Sequence, residues 1–197
     1  MIHELPLTLV SSLERRLVSA TAVATSPFTG TEQVQDWCGE WWEYAIEMAR
    51  TTGRDGRRLS AFLAALGGLR GRFLFRDPTI RQPGTPLAAH VAGGFQTGAM
   101  LITAGWPPFS TPLLTGDFVS LGTDTQTRLH QLTADVTSNE AGLAALALVP
   151  RLRSAPFDGT PLEIAAPAVV LRLTAPVPTR IGRADTFLFT LTAREAL

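Results

Sequence analysis

The sequence predicts a mainly β chain with one helix. An N-terminal unit of strands with one helix comes first, and after a linker a small C-terminal β-barrel or sandwich follows. Three observations carry this reading. Thr occurs 24 times and Asn once, and abundant Thr favours strands. Short β-branched and aromatic runs recur between Gly- and Pro-rich turn signals, the spacing of all-β folds. One stretch after Asp55 keeps the spacing of an amphipathic helix, with apolar residues at i, i+3, i+4 and i+7.

Size and composition bound the answer further. A chain of 197 residues holds one large domain or two small ones. Apolar residues make up 45%, enough for a packed core. Charged residues make up 17%, below the usual quarter or so. Formal net charge is zero, which argues against a general nucleic-acid binder, since phosphate affinity needs many excess cations. All 17 basic residues are Arg, so a P-loop and a Schiff-base lysine are excluded. The single Cys, Cys38, excludes an internal disulfide framework and thiolate zinc clusters. Met1 to Val10 is too short for a signal peptide and is broken by Glu4 and Pro6. The longest apolar run, Leu143 to Val149, is far below membrane-spanning length. The expectation is a soluble protein made in a reducing cytosol, without membrane insertion.

Residues 1–78 read as one unit. Leu17 to Thr25 is β-branched and small, a strand, and Ser26 to Gly30 breaks it as a loop. In Trp37 to Met48 the period is ambiguous. Trp42, Tyr44, Ile46 and Met48 alternate with polar or small residues, whereas Trp37, Trp41, Ala45 and Met48 sit at helical spacing. Aromatic richness and Gly39 favour a strand. The helix is placed at 56–67, with Asp55 as N-cap and Leu59, Phe62, Leu63 and Leu66 on its apolar face. Gly67 and Gly68 end it. Arg72 to Phe75 is a short strand, and Asp77-Pro78 closes the unit. Residues 79–97, rich in Pro and Gly, read as a linker.

Residues 98–175 read as the small β domain. Its strands are Ala99 to Ala104, Asp117 to Leu121, Arg128 to Val136, Leu143 to Val149 and Ala168 to Thr174. Asn139 to Gly142 and Pro156 to Gly159 are its turns. Leu143 to Leu148 is Ala- and Leu-rich and has a helical alternative; its place after a tight turn favours a strand. Residues 176–197, with a strand at Thr186 to Thr192, offer a segment that could return to the N-terminal unit.

The chemistry is sparse. His3, His90 and His130 lie in different segments without ligand-like spacing. Cys38, beside Trp37, reads as a buried inert thiol; as a nucleophile it would need His90 or His130 brought to it. Gly67-Gly68-Leu69-Arg70-Gly71 follows a helix, the wrong context for phosphate binding, and reads as a helix stop. No catalytic, metal-binding or cofactor-binding residue is assigned. The charges are patterned. Glu32, Asp36, Glu40, Glu43 and Glu47 form an acidic run. Arg50, Arg54, Arg57, Arg58, Arg70, Arg72, Arg76 and Arg81 follow. They are either complementary faces that meet between subunits or faces paired within the chain or solvated. Trp42 should face opposite to Trp37 and Trp41 across the strand. One face fills the core, and the other packs under the helix, meets a partner or forms a carbohydrate platform.

Several residue patterns resemble one family. Ser26-Pro27-Phe28-Thr29-Gly30, Gln33-Val34 and Asp36-Trp37-x-Gly39-Glu40-Trp41-Trp42-Glu43 form the first block. Leu69-Arg70-Gly71-Arg72-Phe73-Leu74-Phe75-Arg76-Asp77-Pro78 forms the next. Gly116-Asp117-Phe118-Val119, Pro150-Arg151-Leu152-Arg153, Asp158-Gly159-Thr160 and the final Glu195-Ala196-Leu197 complete it. Together they resemble the distal tail protein of long-tailed bacteriophages and prophages. The resemblance implies a structural virion protein, assembled in the host cytoplasm. It implies a tail-tube-like N-terminal β-sandwich or barrel with a flanking helix that forms a ring, usually sixfold, between tail tube protein and tail hub protein. The appended domain would support a tail fibre or receptor-binding protein. A head-to-tail ring needs two complementary sides per subunit. The candidates are Glu40, Glu43, Glu47, Arg54, Arg57, Arg58, Arg72 and Trp41. Two alternatives belong to other classes. One is a carbohydrate-binding module of the tail tip, with Trp106, Phe109 and Phe118 as its platform. The other is a tail-borne hydrolase using Cys38 with a histidine.

Overall fold

A computed structural model describes residues 2–6, 10–80 and 88–196. The chain is mainly β with a single α-helix. In order, the first elements are β1 (His3–Glu4), β2 (Val10–Thr25), β3 (Glu32–Met48), β4 (Thr51–Thr52), α1 (Gly53–Ala65) and β5 (Phe73–Arg76). β6 (His90–Val91), β7 (Gly98–Ala104), β8 (Phe118–Leu121), β9 (Arg128–Leu132), β10 (Ala144–Leu152) and β11 (Leu162–Glu163) follow. The last are β12 (Ala168–Leu173), β13 (Arg180–Gly182), β14 (Thr186–Leu188) and β15 (Thr190–Glu195).

The first sheet runs β1-β5-β12-β15-β3-β2. Its inner face follows from period-two alternation. Trp42, Tyr44, Ile46 and Met48 of β3 are buried, and so are Phe73 and Phe75 of β5 and Leu191 and Ala193 of β15. Leu59, Leu63 and Leu66 join the same cluster from the helix side. The helix starts earlier than the sequence suggested. Its N-cap is Thr52 in extended conformation, and Asp55 lies in the first turn. Pairing of β4 with β14 fixes the chain up to Thr52, so helical winding begins directly after it. β13, β14 and β4 form a small third sheet, and Gly56 lets α1 lie directly on Phe187. Gly67, in the left-handed region (φ 64°, ψ 40°), follows the last turn.

The second sheet runs β11-β8-β9-β10-β7-β6, antiparallel throughout. It nearly closes into a barrel. His90 bridges Pro161 beside β11, and Val91 N–H reaches the Thr160 carbonyl at 2.9 Å. Val91, Leu101, Val119, Leu132, Leu146 and Leu148 fill the interior. Residues 144–152 alternate buried with more exposed positions, so the Ala-rich run is a strand. Asn139 makes the preceding turn, its Oδ1 accepting the N–H groups of Ala141 and Leu143, both at 2.9 Å.

Two boundaries differ from the sequence reading. Ala168–Leu173 lies in the first sheet between β5 and β15, not in the small domain that the reading extended to residue 175. Its first residues are buried consecutively. A run without alternation marks a central strand but not the sheet that holds it. The C-terminal β15 pairs with β3 and β12. Within 79–97, His90–Val91 is a barrel strand, while 81–87, with Arg81, lie outside the described residues.

Candidate interaction site

The most unusual element is the β2–β3 hairpin. Its strands are 16 and 17 residues long and pair to the tip, Thr25 with Glu32. Only the root of β3, Glu43 to Glu47, also pairs with β15. Beyond it, Thr21–Thr25 and Glu32–Cys38 are exposed on both faces. At about 3.4 Å per residue this outer part reaches roughly 17 Å. The arm is not polar. Val23 is 58% exposed, Val34 62%, Trp37 61% and Phe28, at the tip, 95%. β2 is also a sheet edge, with unpaired backbone groups along one side.

A bulge marks the base of the arm. Ser19 is opposite Glu40 and Thr21 opposite Asp36, so Trp37, Cys38 and Gly39 stand against Ala20 alone. Cys38 takes φ 59°, and its N–H donates to Asp36 Oδ1 at 2.7 Å. A Cβ on Gly39 would meet the Ala20 Cβ at 3.1 Å. The bulge turns the Cys38 side chain out to solvent. The buried thiol expected from sequence is therefore corrected: regular alternation cannot anticipate an irregular register. Among the described residues no hydrogen bond joins Cys38 to His90 or His130.

The candidate charges separate into two sets. Glu43 accepts from Arg16 Nε at 2.9 Å and Nη2 at 2.6 Å. Its other oxygen takes the Trp41 indole N–H at 3.1 Å. The Trp41 and Arg16 contacts hold the Glu43 carboxyl below its usual range. Glu40 accepts the Arg151 N–H at 2.9 Å, and the Arg151 guanidinium reaches Asp36 at 3.3 Å. Glu47 is exposed and accepts from Ser12 Oγ at 2.8 Å. Of the basic candidates, Arg54, Arg57 and Arg58 are exposed on α1. Arg57 pairs with Asp185 at 2.7 Å and Arg58 with Asp55 at 3.7 Å. Arg72 is half-buried, just before β5. Glu40 and Glu43 thus find arginines within the chain, Arg16 and Arg151, rather than the Arg50–Arg76 cluster. No spacing in the sequence brings those pairs together; β2–β3 register sets Arg16 opposite Glu43, and packing of β10 of the second sheet against β3 brings Arg151 to Glu40.

Trp42 lies on the core side, opposite to the half-buried Trp41. Its indole N–H donates to the Leu129 carbonyl at 3.0 Å, and its ring meets Phe118 at 5.9 Å between centroids. Arg15 lies over the Phe118 ring at 4.2 Å and forms an ion pair with buried Asp77. Glu195, fully buried, accepts from Arg153 at 2.5 Å and from the Trp42 N–H at 3.3 Å. Sequence reasoning did not single out Arg15, Asp77, Arg153 or Glu195 as a connected group.

The sugar platform is corrected as well. Trp106 is 3% and Phe118 5% exposed, so only Phe109 of that trio meets solvent. Trp106 donates its indole N–H to Thr103 Oγ1 at 2.7 Å inside the barrel. Among the described residues no group of three or more His, Cys, Asp or Glu is placed to hold a metal ion. No helix among the described residues is long and apolar enough to cross a membrane. No protein-family model matches the chain, and no curated protein matches it.

Proposed function

We propose that this chain is a structural protein of a phage tail tip, closing into a ring with copies of itself between a tail tube protein and a tail hub protein. The observation that carries the reading is the β2–β3 arm. A two-stranded hairpin is at best marginally stable alone in water. This one exposes Val23, Phe28, Val34 and Trp37, which nothing among the described residues covers. A neighbouring copy would bury those side chains and satisfy the open β2 edge. Ring closure requires this contact to be head-to-tail, the arm of one copy seated on a different face of the next. Glu40 and Glu43 are already paired within the chain. Apolar arm residues therefore carry the contact, while exposed Glu47, Arg54 and Arg58, with Trp41 and Arg72 beside the arm root and β5, set its register.

Light scattering and negative-stain imaging of the purified chain test this. The expected result is a ring, of hexamer size, with an axial hole. Val23→Glu with Val34→Glu should return it to folded monomers, and Arg54→Glu with Arg58→Glu should weaken it. A wild-type chain that stays monomeric both alone and mixed with its tail tube and hub proteins would overturn the reading.

A further inference from the structure

The barrel carries a cleft unrelated to the arm. The β9–β10 ladder ends at Val149 opposite Gln131. Beyond that point β10 leaves β9 and stays with β7 alone, whose pairing shifts register after Ala147 and resumes with Leu152 opposite Gly98. The Pro150 carbonyl, released from the ladder, accepts from the His130 ring at 2.7 Å instead. The two splayed chain segments enclose a cleft of about 400 Å³, within the range of small-molecule sites. Leu121, Leu152, Pro156 and Phe157 give it apolar walls; Arg128, His130 and Arg153 supply the polar groups. Phe157 is 76% exposed, so an aromatic ring stands at the rim.

The charge in this cleft is unbalanced. Arg153 spends one nitrogen on Glu195 at 2.5 Å, while its Nε and Nη1 are buried without a partner. Arg128 donates only to the backbone carbonyls of Thr125 and Thr127, at 3.2 and 3.1 Å. Among the described residues no carboxylate lies within ion-pair distance of Arg128. Burial pulls the Arg128 guanidinium below its ordinary value; Glu195 opposes this, and Arg153 and Arg72 reinforce it. Arg128 and Arg153 line the cleft with Arg72 near Arg128, and the one carboxylate facing them is Glu195, so the site is net positive. Unpaired buried donors are costly, and a planar anion suits a guanidinium fork.

We propose that this cleft binds a small organic monocarboxylate, its head on Arg128 with Arg153 adding positive charge behind it, and its apolar body between Leu121, Leu152 and Phe157. A carboxylate brings one negative charge in the plane of the Arg128 fork, whereas a phosphate would bring a second one close to the buried Glu195. The assignment does not depend on the ring reading.

Benzoate, neutral benzamide and phenyl phosphate are titrated into the intact chain and followed by amide and imidazole NMR. Benzoate should shift the resonances of Leu121, His130 and Phe157 saturably. Benzamide, with the same ring and no charge, should bind at least about tenfold more weakly, because hydrogen bonds to charged groups contribute that much. Arg128→Gln should abolish the difference while leaving the spectrum dispersed. Should that variant fail to fold, the benzoate–benzamide ratio in the unaltered chain still decides. Equal binding of the two, no shifts at the solubility limit of benzoate, or tighter binding of phenyl phosphate would each overturn the proposal.

Discussion

His130 sits where an imidazole cannot easily carry charge. It is 3% exposed, and burial pushes its pKa down to about 4, with Arg153 and Arg128 adding to the effect and the Pro150 carbonyl opposing it. An unfolded chain would protonate this residue near 6.5. Between those values the unfolded state binds more protons, so stability falls as pH drops from about 6.5 to 4. The total is about 3 kcal/mol at about 1.4 kcal/mol per unit. Thermal midpoints measured across that window should decline. His130→Gln, whose amide can still donate to the Pro150 carbonyl, should flatten the curve. An unchanged slope in the variant would assign the acid sensitivity elsewhere. Gly56 offers a second test at this scale. A Cβ there would lie 2.2 Å from the Phe187 ring. Helix propensity favours Ala, yet Gly56→Ala should lower stability by about 1–3 kcal/mol through overpacking. Urea unfolding measures the sign directly.

Elements with strong alternation were legible in the sequence. Trp42 to Met48 and Leu143 to Val149 read as strands because one face is buried and the other is not. The first half of β2 was not legible. Val10 to Arg16 carries Ser, Glu and Arg with weak alternation, and it is a strand because β3 pairs with it along its whole length. β4, β6 and β11 are two residues each, too short for any periodicity to show. Register was the other hidden quantity. It decides that Glu43 meets Arg16 and that Cys38 sits in a bulge, while packing between the two sheets decides that Glu40 meets Arg151. The bulge makes a simple prediction. Cys38 should react completely with a thiol reagent in the native state, at a rate close to that of unfolded chain. Slow reaction of the monomer would mean that the arm folds back. Slow reaction only in assembled protein would mean that a neighbour covers it.

At the scale of the whole molecule the barrel is an insertion. The chain leaves the first sheet after β5 and re-enters at β12, and these two strands are paired neighbours, Arg76 opposite Ala168. Entry and exit are therefore adjacent, the arrangement in which an inserted unit disturbs its host least. Each part has its own buried cluster. Yet Phe118 and Leu129 of the barrel pack in the core of the first sheet, held by Trp42 and Arg15. Arg15 is the keystone of this joint. It covers the Phe118 ring and neutralises Asp77, whose other oxygen already accepts from Thr79 N–H at 2.8 Å and Oγ1 at 2.6 Å. Removing the guanidinium leaves a buried carboxylate without its cation, a loss of about 3–5 kcal/mol. That loss falls mainly on the first sheet, because Asp77 follows β5; of the barrel, Arg15 covers Phe118, which packs in the first core, while Val91, Leu101 and Leu146 belong to the separate second core. Arg15→Ala should therefore split unfolding into two steps. In hydrogen exchange, peptides from β5, β12 and β15 should lose protection at lower urea than those from β7 and β10. Simultaneous loss in all of them would mean that the two cores remain one cooperative unit through Trp42 alone.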